Sequence, residues 1–332
     1  MKNNTYIIAE MACSHDGKVD LAKQIIDGAG KAGADAIQFQ IWKLSESLVP
    51  SHADYDFCST LELSQDQWGE LVGYVREHYP EMEIIGCVEE PASVQFCEKV
   101  AIDAYKLHTS ELSNPVMIDE VAKTGKRIDL SVGASTLDEI QKALTRIRSL
   151  SDADVWLMYG YQNFPTDPEK VNLDWLVTLK NLFGLRVGYQ DHTDAESAGA
   201  FWLPAASTGM GIDVQEKHIT HNRSRKGCDH QAALNPDEFA RFVEMCKTLD
   251  CAKGEYRPRS FSADEQKYRK YAKKSLVANK DLLEGNVITG SDLVAMRAND
   301  LGLPPDEVEI LLGRKLRKAV AKYELVTIKD TL

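Results

Sequence analysis

The sequence predicts an α/β protein, a TIM (β/α)8 barrel followed by a small, mostly β module, on three observations. Short apolar runs alternate with amphipathic stretches eight times. The alternation occupies about 250 residues, the usual size of such a barrel. Each run closes in polar or ionisable side chains, as barrel strands do at the end where their loops gather. A doubly wound open sheet is the alternative, but no GxGxxG follows the first run, so the barrel is preferred.

In order, the expected strands are residues 5–12, 34–42, 83–89, 104–110, 127–133, 154–161, 186–192 and 213–219. Helical stretches at 20–32, 66–78, 136–150 and 235–249 separate several of them. Ser64 with Gln67 has the spacing of a capping box, and Asn235-Pro236 puts proline at a first helical position. These features divide the chain into a barrel domain at 1–251, a polar, basic and aromatic linker at 252–271, and a module at 272–332. A module of that size has a small core and gains from docking onto another surface.

The composition, 43% hydrophobic and 27% charged, is that of a globular protein and not of a disordered chain or a coiled coil. The 39 basic and 51 acidic residues leave a formal charge of −12, which opposes nucleic acid and anionic membrane as partners. No run approaches the roughly 20 apolar residues of a membrane span, and the N-terminus turns polar too early for a signal peptide, so a cytoplasmic location is expected. Seven cysteines without a CxxC pair read as reduced, scattered thiols, with Cys13 and Cys87 packed in strands.

The strand ends carry the chemistry. His192 and His218 close neighbouring strands, where two imidazoles can converge on one divalent ion or simply hydrogen-bond. Glu216 shares a strand face with His218. Lys106, in an apolar run, reads three ways: a cation for a carboxylate or phosphate, a desolvated amine for a Schiff base, or half of a structural ion pair. Glu111 is either a general acid–base or an early-helix carboxylate. His15 is a loop histidine, and Arg223, Arg225 and Lys226 are a solvated run or an anion-steering patch.

These residues stand in segments that together resemble the N-acylneuraminate (sialic acid) synthase family, with its legionaminate, pseudaminate and spore-coat relatives. The segments are IIAEMACSHDG (7–17), AGADAIQFQ (32–40), YKLHTSELSNP (105–115), LSVGAST (130–136), FPT (164–166), VGYQDHT (187–193), EKH (216–218) and GCDH (227–230). The tail EGNVITGSDL (284–293), Arg297 and LLGRKL (311–316) is similar to that family's C-terminal antifreeze-like (SAF) domain. The resemblance implies condensation of phosphoenolpyruvate with an N-acyl amino sugar to a nonulosonic acid, with loss of phosphate. It implies Mn²⁺ or Mg²⁺ on His192 and His218, proton handling by Glu111, and Lys106, Thr109 and Ser131 on the phosphoenolpyruvate anion. Asp16 and Asp229 match carboxylates that hold sugar hydroxyls, and Arg297 matches an arginine sent into the sugar site of a partner subunit in a domain-swapped homodimer.

The sequence departs from the family at substrate-binding positions. Gln38 stands for a lysine, Cys87 for a threonine, Gln162 for an asparagine, Phe164 for a tyrosine and Gln190 for a serine, and the NHNG loop reads SHDG. A lost lysine removes a charge-assisted bond to an anion. The departures leave open another enol donor or acceptor, an anion held instead by Lys43, Arg223, Arg225 or Lys226, or a non-catalytic sugar-binding barrel.

Overall fold

The computed structural model describes residues 4–163, 165–254 and 257–332. Eight parallel strands close a barrel in simple sequence order: β1 (Tyr6–Glu10), β2 (Ala36–Ile41), β3 (Glu83–Val88), β4 (Ala104–Leu107), β5 (Arg127–Ser131), β6 (Val155–Tyr159), β7 (Arg186–Asp191) and β8 (Val214–His218). Each lies inside one of the eight expected runs. The runs overshoot at their C-terminal ends because the polar closing residues leave the ladder to form the loops of the mouth.

The outer layer comprises α1 (Val19–Ala32), α4 (Gln65–His78), α5 (Pro91–Lys99), α6 (Pro115–Lys123), α7 (Leu137–Leu150), α8 (Leu173–Phe183), α9 (Gly199–Gly209) and α10 (Pro236–Lys253), with short α2 (Leu44–Ser47) and α3 (Tyr55–Ser59) in the β2–α4 connection. Ser64 and Gln67 make the expected capping box on α4, and Asn235 with Glu238 makes one on α10. Each helix buries one stripe against the barrel: Ala22, Ile25, Ile26 and Ala29 on α1, and Ile140, Ala143, Leu144 and Ile147 on α7.

Inside the barrel the two-residue period sorts side chains into layers. The floor is polar and stacked: Arg127 donates to Glu83 and Asp129, and its guanidinium lies 4.1 Å from the Trp156 ring centroid. Above it Ile8, Ala36, Ile85, Ala104, Met158 and Val214 pack into an apolar plug. The next residue inward on most strands is polar, and that layer faces the mouth.

The chain divides into two compact units, residues 1–254 and 255–332. The second holds α11 (Ala263–Ala272) and an antiparallel pair, β9 (Lys274–Ala278) with β10 (Leu293–Arg297). Isolated bridges such as Leu282 with Val320 and Leu316 with Thr331 complete it, around a core of Leu276, Leu282, Ile288, Leu311, Leu316 and Val326. The expected linker at 252–271 is therefore not all irregular. Ser262 and Glu265 form a capping box that starts α11, and the polar composition reflects a helix with no buried residue.

Candidate active site at the barrel mouth

One inward side chain from each of seven strands builds the upper layer: Glu10 on β1, Gln38 on β2, Cys87 on β3, Lys106 on β4, Ser131 on β5, Gln190 on β7 and Glu216 on β8. All seven are buried. Most are joined in one chain of hydrogen bonds. Ser131 Oγ donates to Gln190 Oε1 at 2.8 Å, and Gln190 Nε2 donates to Glu216 Oε1 at 3.2 Å. Lys106 Nζ donates to the same Glu216 oxygen at 2.6 Å and lies 3.9 Å from Glu10 Oε2. Glu10 Oε1 accepts from the Ala12 backbone at 2.6 Å and from Gln40 Nε2 at 3.4 Å.

The chain is incomplete on its lumen side. Glu10 Oε2, Glu216 Oε2, both polar atoms of Gln38, Thr109 Oγ1 and His218 Nδ1 are buried without a hydrogen-bond partner among the described residues. A buried polar atom left unpaired costs about 1–3 kcal/mol, so a group of them favours the approach of polar ligand atoms.

The electrostatics follow from burial and the two glutamates. The Lys106 amine loses stability from desolvation, but Glu216 and Glu10 outweigh that and push its pKa up to about 12. It is a fixed cation at neutral pH, which removes the neutral amine that a Schiff-base nucleophile requires. Burial raises Glu10 above the usual carboxylate range, against the pull of Lys106 and with the push of Glu216. Cys87, beside Lys106 in the β3–β4 register, is held as a thiol by burial.

His192 and His218 stand at the rim with ring centroids 5.2 Å apart. Burial lowers both pKa values, so both rings are neutral, the form that ligates a metal. His192 Nδ1 lies 3.1 Å from the Tyr161 carbonyl, a contact that orients the ring, while His218 Nδ1 has no hydrogen-bond partner among the described residues. These rings fit a divalent ion by position, charge state and unused valence.

Other expected residues lie on the loops that follow the barrel strands. Thr109 and Glu111 form a 3₁₀ turn beyond β4, with Glu111 Oε2 accepting from Asn114 Nδ2 at 2.7 Å. Asp16 sits 3.7 Å from His230, and Asp229 Oδ2 accepts from the Cys13 backbone at 3.5 Å, which brings the β1 and β8 loops together. Gln162 is exposed and lies over Gly133, where a Cβ would come within 2.6 Å of its Nε2. Phe164 lies outside the described residues. Arg297 is exposed at the end of β10, in the second unit.

Several readings change. His15 is buried edge-on to Trp68, and its Nδ1 accepts from the Gly17 backbone at 3.1 Å, so it shapes the loop. Arg223 is gripped by both oxygens of Glu238, and Lys43 pairs with Glu46 at 2.6 Å. Arg225 and Lys226 stay exposed. Cys13 is not packed in a strand but half-buried in the β1 loop. Glu10 and Gln40 were not singled out as site residues. The signal for both was present, since Glu10 shares its alternation face with Ile8 and Gln40 with Gln38.

A closed barrel with a ring of charged and amide side chains at its C-terminal mouth defines a TIM-barrel enzyme. The NeuB family model matches residues 25–257, and the chain belongs to that family. It is 29% identical to the N,N'-diacetyllegionaminic acid synthase of Legionella pneumophila, over 94% of this chain and 90% of the relative. It is 26% identical to the human N-acetylneuraminate-9-phosphate synthase, over 97% and 91%. Among solved structures, a spore coat polysaccharide biosynthesis protein E homologue from Chromobacterium violaceum superposes with a TM-score of 0.81 at 18% identity, over 99% of both chains. The chain is an enzyme of the carbon–carbon bond-forming synthase kind. Among the described residues no helix is long and apolar enough to cross a membrane.

Proposed function

We propose that the enzyme condenses phosphoenolpyruvate with an N-acyl amino sugar, or a related aldose, to a nonulosonic acid with release of phosphate. The observation that carries this reading is the ring of unpaired polar atoms around a fixed Lys106 cation, beside two neutral imidazoles. Lys106 receives the donor's carboxylate or phosphate, with Ser131, Gln190 and Thr109 adding neutral hydrogen bonds. Gln38 offers an amide in place of a lysine, a weaker anion contact. Asp16 and Asp229 hold acceptor hydroxyls across the β1 and β8 loops, and Gln162 borders the same mouth.

A bond forms between C3 of the enol and the acceptor's aldehyde carbon. Water then adds to C2, and the resulting tetrahedral centre expels phosphate. Glu111, at the edge of the mouth, moves the protons. His192 and His218 would hold Mn²⁺ or Mg²⁺, which supplies Lewis-acid polarisation of the aldehyde when bound. The second unit corresponds to an antiferreeze-like (SAF) module, and Arg297 of the partner subunit completes the sugar site in a domain-swapped homodimer.

The test is phosphate release from phosphoenolpyruvate across a panel of N-acyl hexosamines with Mn²⁺ or Mg²⁺. We expect release with at least one acceptor, loss of it on chelation, and a fall in kcat of about a hundredfold or more in Glu111→Gln. No release with any acceptor in the presence of metal overturns the reading.

A further inference from the structure

The mouth holds two thiols that the proposed chemistry does not use. Cys13 Sγ, Cys228 Sγ and a carboxylate oxygen of Asp229 all lie within 4.8 Å of one another. Cys13 follows β1, while Cys228 and Asp229 follow β8, the neighbouring strand. All three are half-buried, and Cys228 and Asp229 open onto a groove of about 600 Å³ that Cys58 and Lys226 also line.

Two sulfurs on one ion at the usual metal–sulfur length of about 2.3 Å sit roughly 3.8 Å apart in a tetrahedron. The observed spread, at most 4.8 Å, is within about 1 Å of that separation. Sulfur ligands favour soft or borderline ions, whereas oxygen-ligated Mg²⁺ and Mn²⁺ gain little from them. The donor set therefore calls for an ion unlike the one expected at His192 and His218.

We propose that Cys13, Cys228 and Asp229 bind a thiophilic divalent ion of the zinc class, tying the β1 loop to the β8 loop and leaving a fourth position open to the groove. Binding converts two thiols to thiolates and releases two protons to solvent, with no change of oxidation state. The site needs no part of the synthase reading: Asp229 is shared with the proposed sugar contacts, but metal binding is read without turnover.

Full-length protein, stripped of metal and kept reduced with a phosphine, is titrated with Cd²⁺ while the ultraviolet sulfur-to-metal charge-transfer band is followed. The band is expected to saturate at one equivalent per chain and to disappear in Cys13→Ser and in Cys228→Ser. It is expected to persist in Cys58→Ser, which lies outside the three-ligand group, and in His218→Ala, which reports the other site. Asp229→Asn should weaken binding about tenfold or more. Far-UV circular dichroism confirms that each variant is folded, and Cys228, in a loop, is the substitution least able to disturb the barrel. Absence of the band in the wild type, or its survival in the Cys13→Ser/Cys228→Ser double variant, overturns the proposal.

Discussion

At the scale of single residues, a carboxylate at a strand end has two fates that sequence does not separate. Glu10 and Glu216 point inward onto Lys106, while Glu90, just past β3, is buried and accepts from the Ser93 and Ser47 hydroxyls. Burial drives Glu90 from 4.5 up to about 7. A carboxyl whose folded pKa is raised keeps its proton longer in the native state, so folding loses stability as pH rises from the unfolded value to the folded one. At about 1.4 kcal/mol per unit the loss is at most roughly 3 kcal/mol, complete above pH 7 and absent below about pH 4. Glu90→Gln should thus unfold at higher urea than the wild type at pH 8 and at the same urea at pH 4. A difference of equal size at both pH values would mean that packing, not charge, sets it. The strand-end positions of Gln38, Lys106, Ser131 and Gln190 were legible because a short apolar run that closes in polar residues is a local pattern. The Cys13–Cys228 approach was invisible, because it joins loops 215 positions apart whose path depends on closing the barrel.

At the scale of elements, the two rim histidines are positioned from behind. Lys217 Nζ donates to Asp191 Oδ2 at 2.7 Å, and neither side chain has more than 1% of its surface exposed. Asp191 precedes His192 and Lys217 precedes His218, so this one ion pair spans the strands that carry both rings. Tyr189 OH and the Thr193 backbone also donate to Asp191, which is held below the usual carboxylate range despite full burial. Removing one member leaves an uncompensated buried charge, at a cost of about 3–5 kcal/mol. Lys217→Met should lower stability by that amount in urea unfolding. A loss below about 1 kcal/mol would show that water or a shifted neighbour replaces the amine. The sequence marked DH and KH as strand endings, yet it could not tell which members face the lumen and which face the helices. That is decided by the pleat, which turns His192 and His218 inward and Asp191 and Lys217 outward.

At the scale of the whole molecule, the eightfold alternation was legible because each βα unit repeats the same local pattern, whereas the second unit has few regular strands and was read mainly through its tail motifs. Its turns rest on bridges such as Val287 with Lys315 and on Thr289 and Thr327, which cap short turns through Asp292 and Asp330. These depend on partners some 15 to 50 residues away or on turn chemistry with no period. The two units have separate cores: the barrel's runs from Ile7 to Cys246, and the second unit's from Leu276 to Val326. A closed sheet with all its helices needs no further surface to bury its stripes, while a unit of fewer than about 80 residues with a small core is marginal by itself. Residues 1–254 alone should therefore keep their helical circular dichroism and unfold in one cooperative thermal transition. Residues 257–332 alone should melt at a clearly lower temperature than the barrel fragment, or show no transition. If the barrel fragment instead loses its cooperative transition, folding of the barrel requires the second unit, and the separation of cores does not describe how stability is distributed.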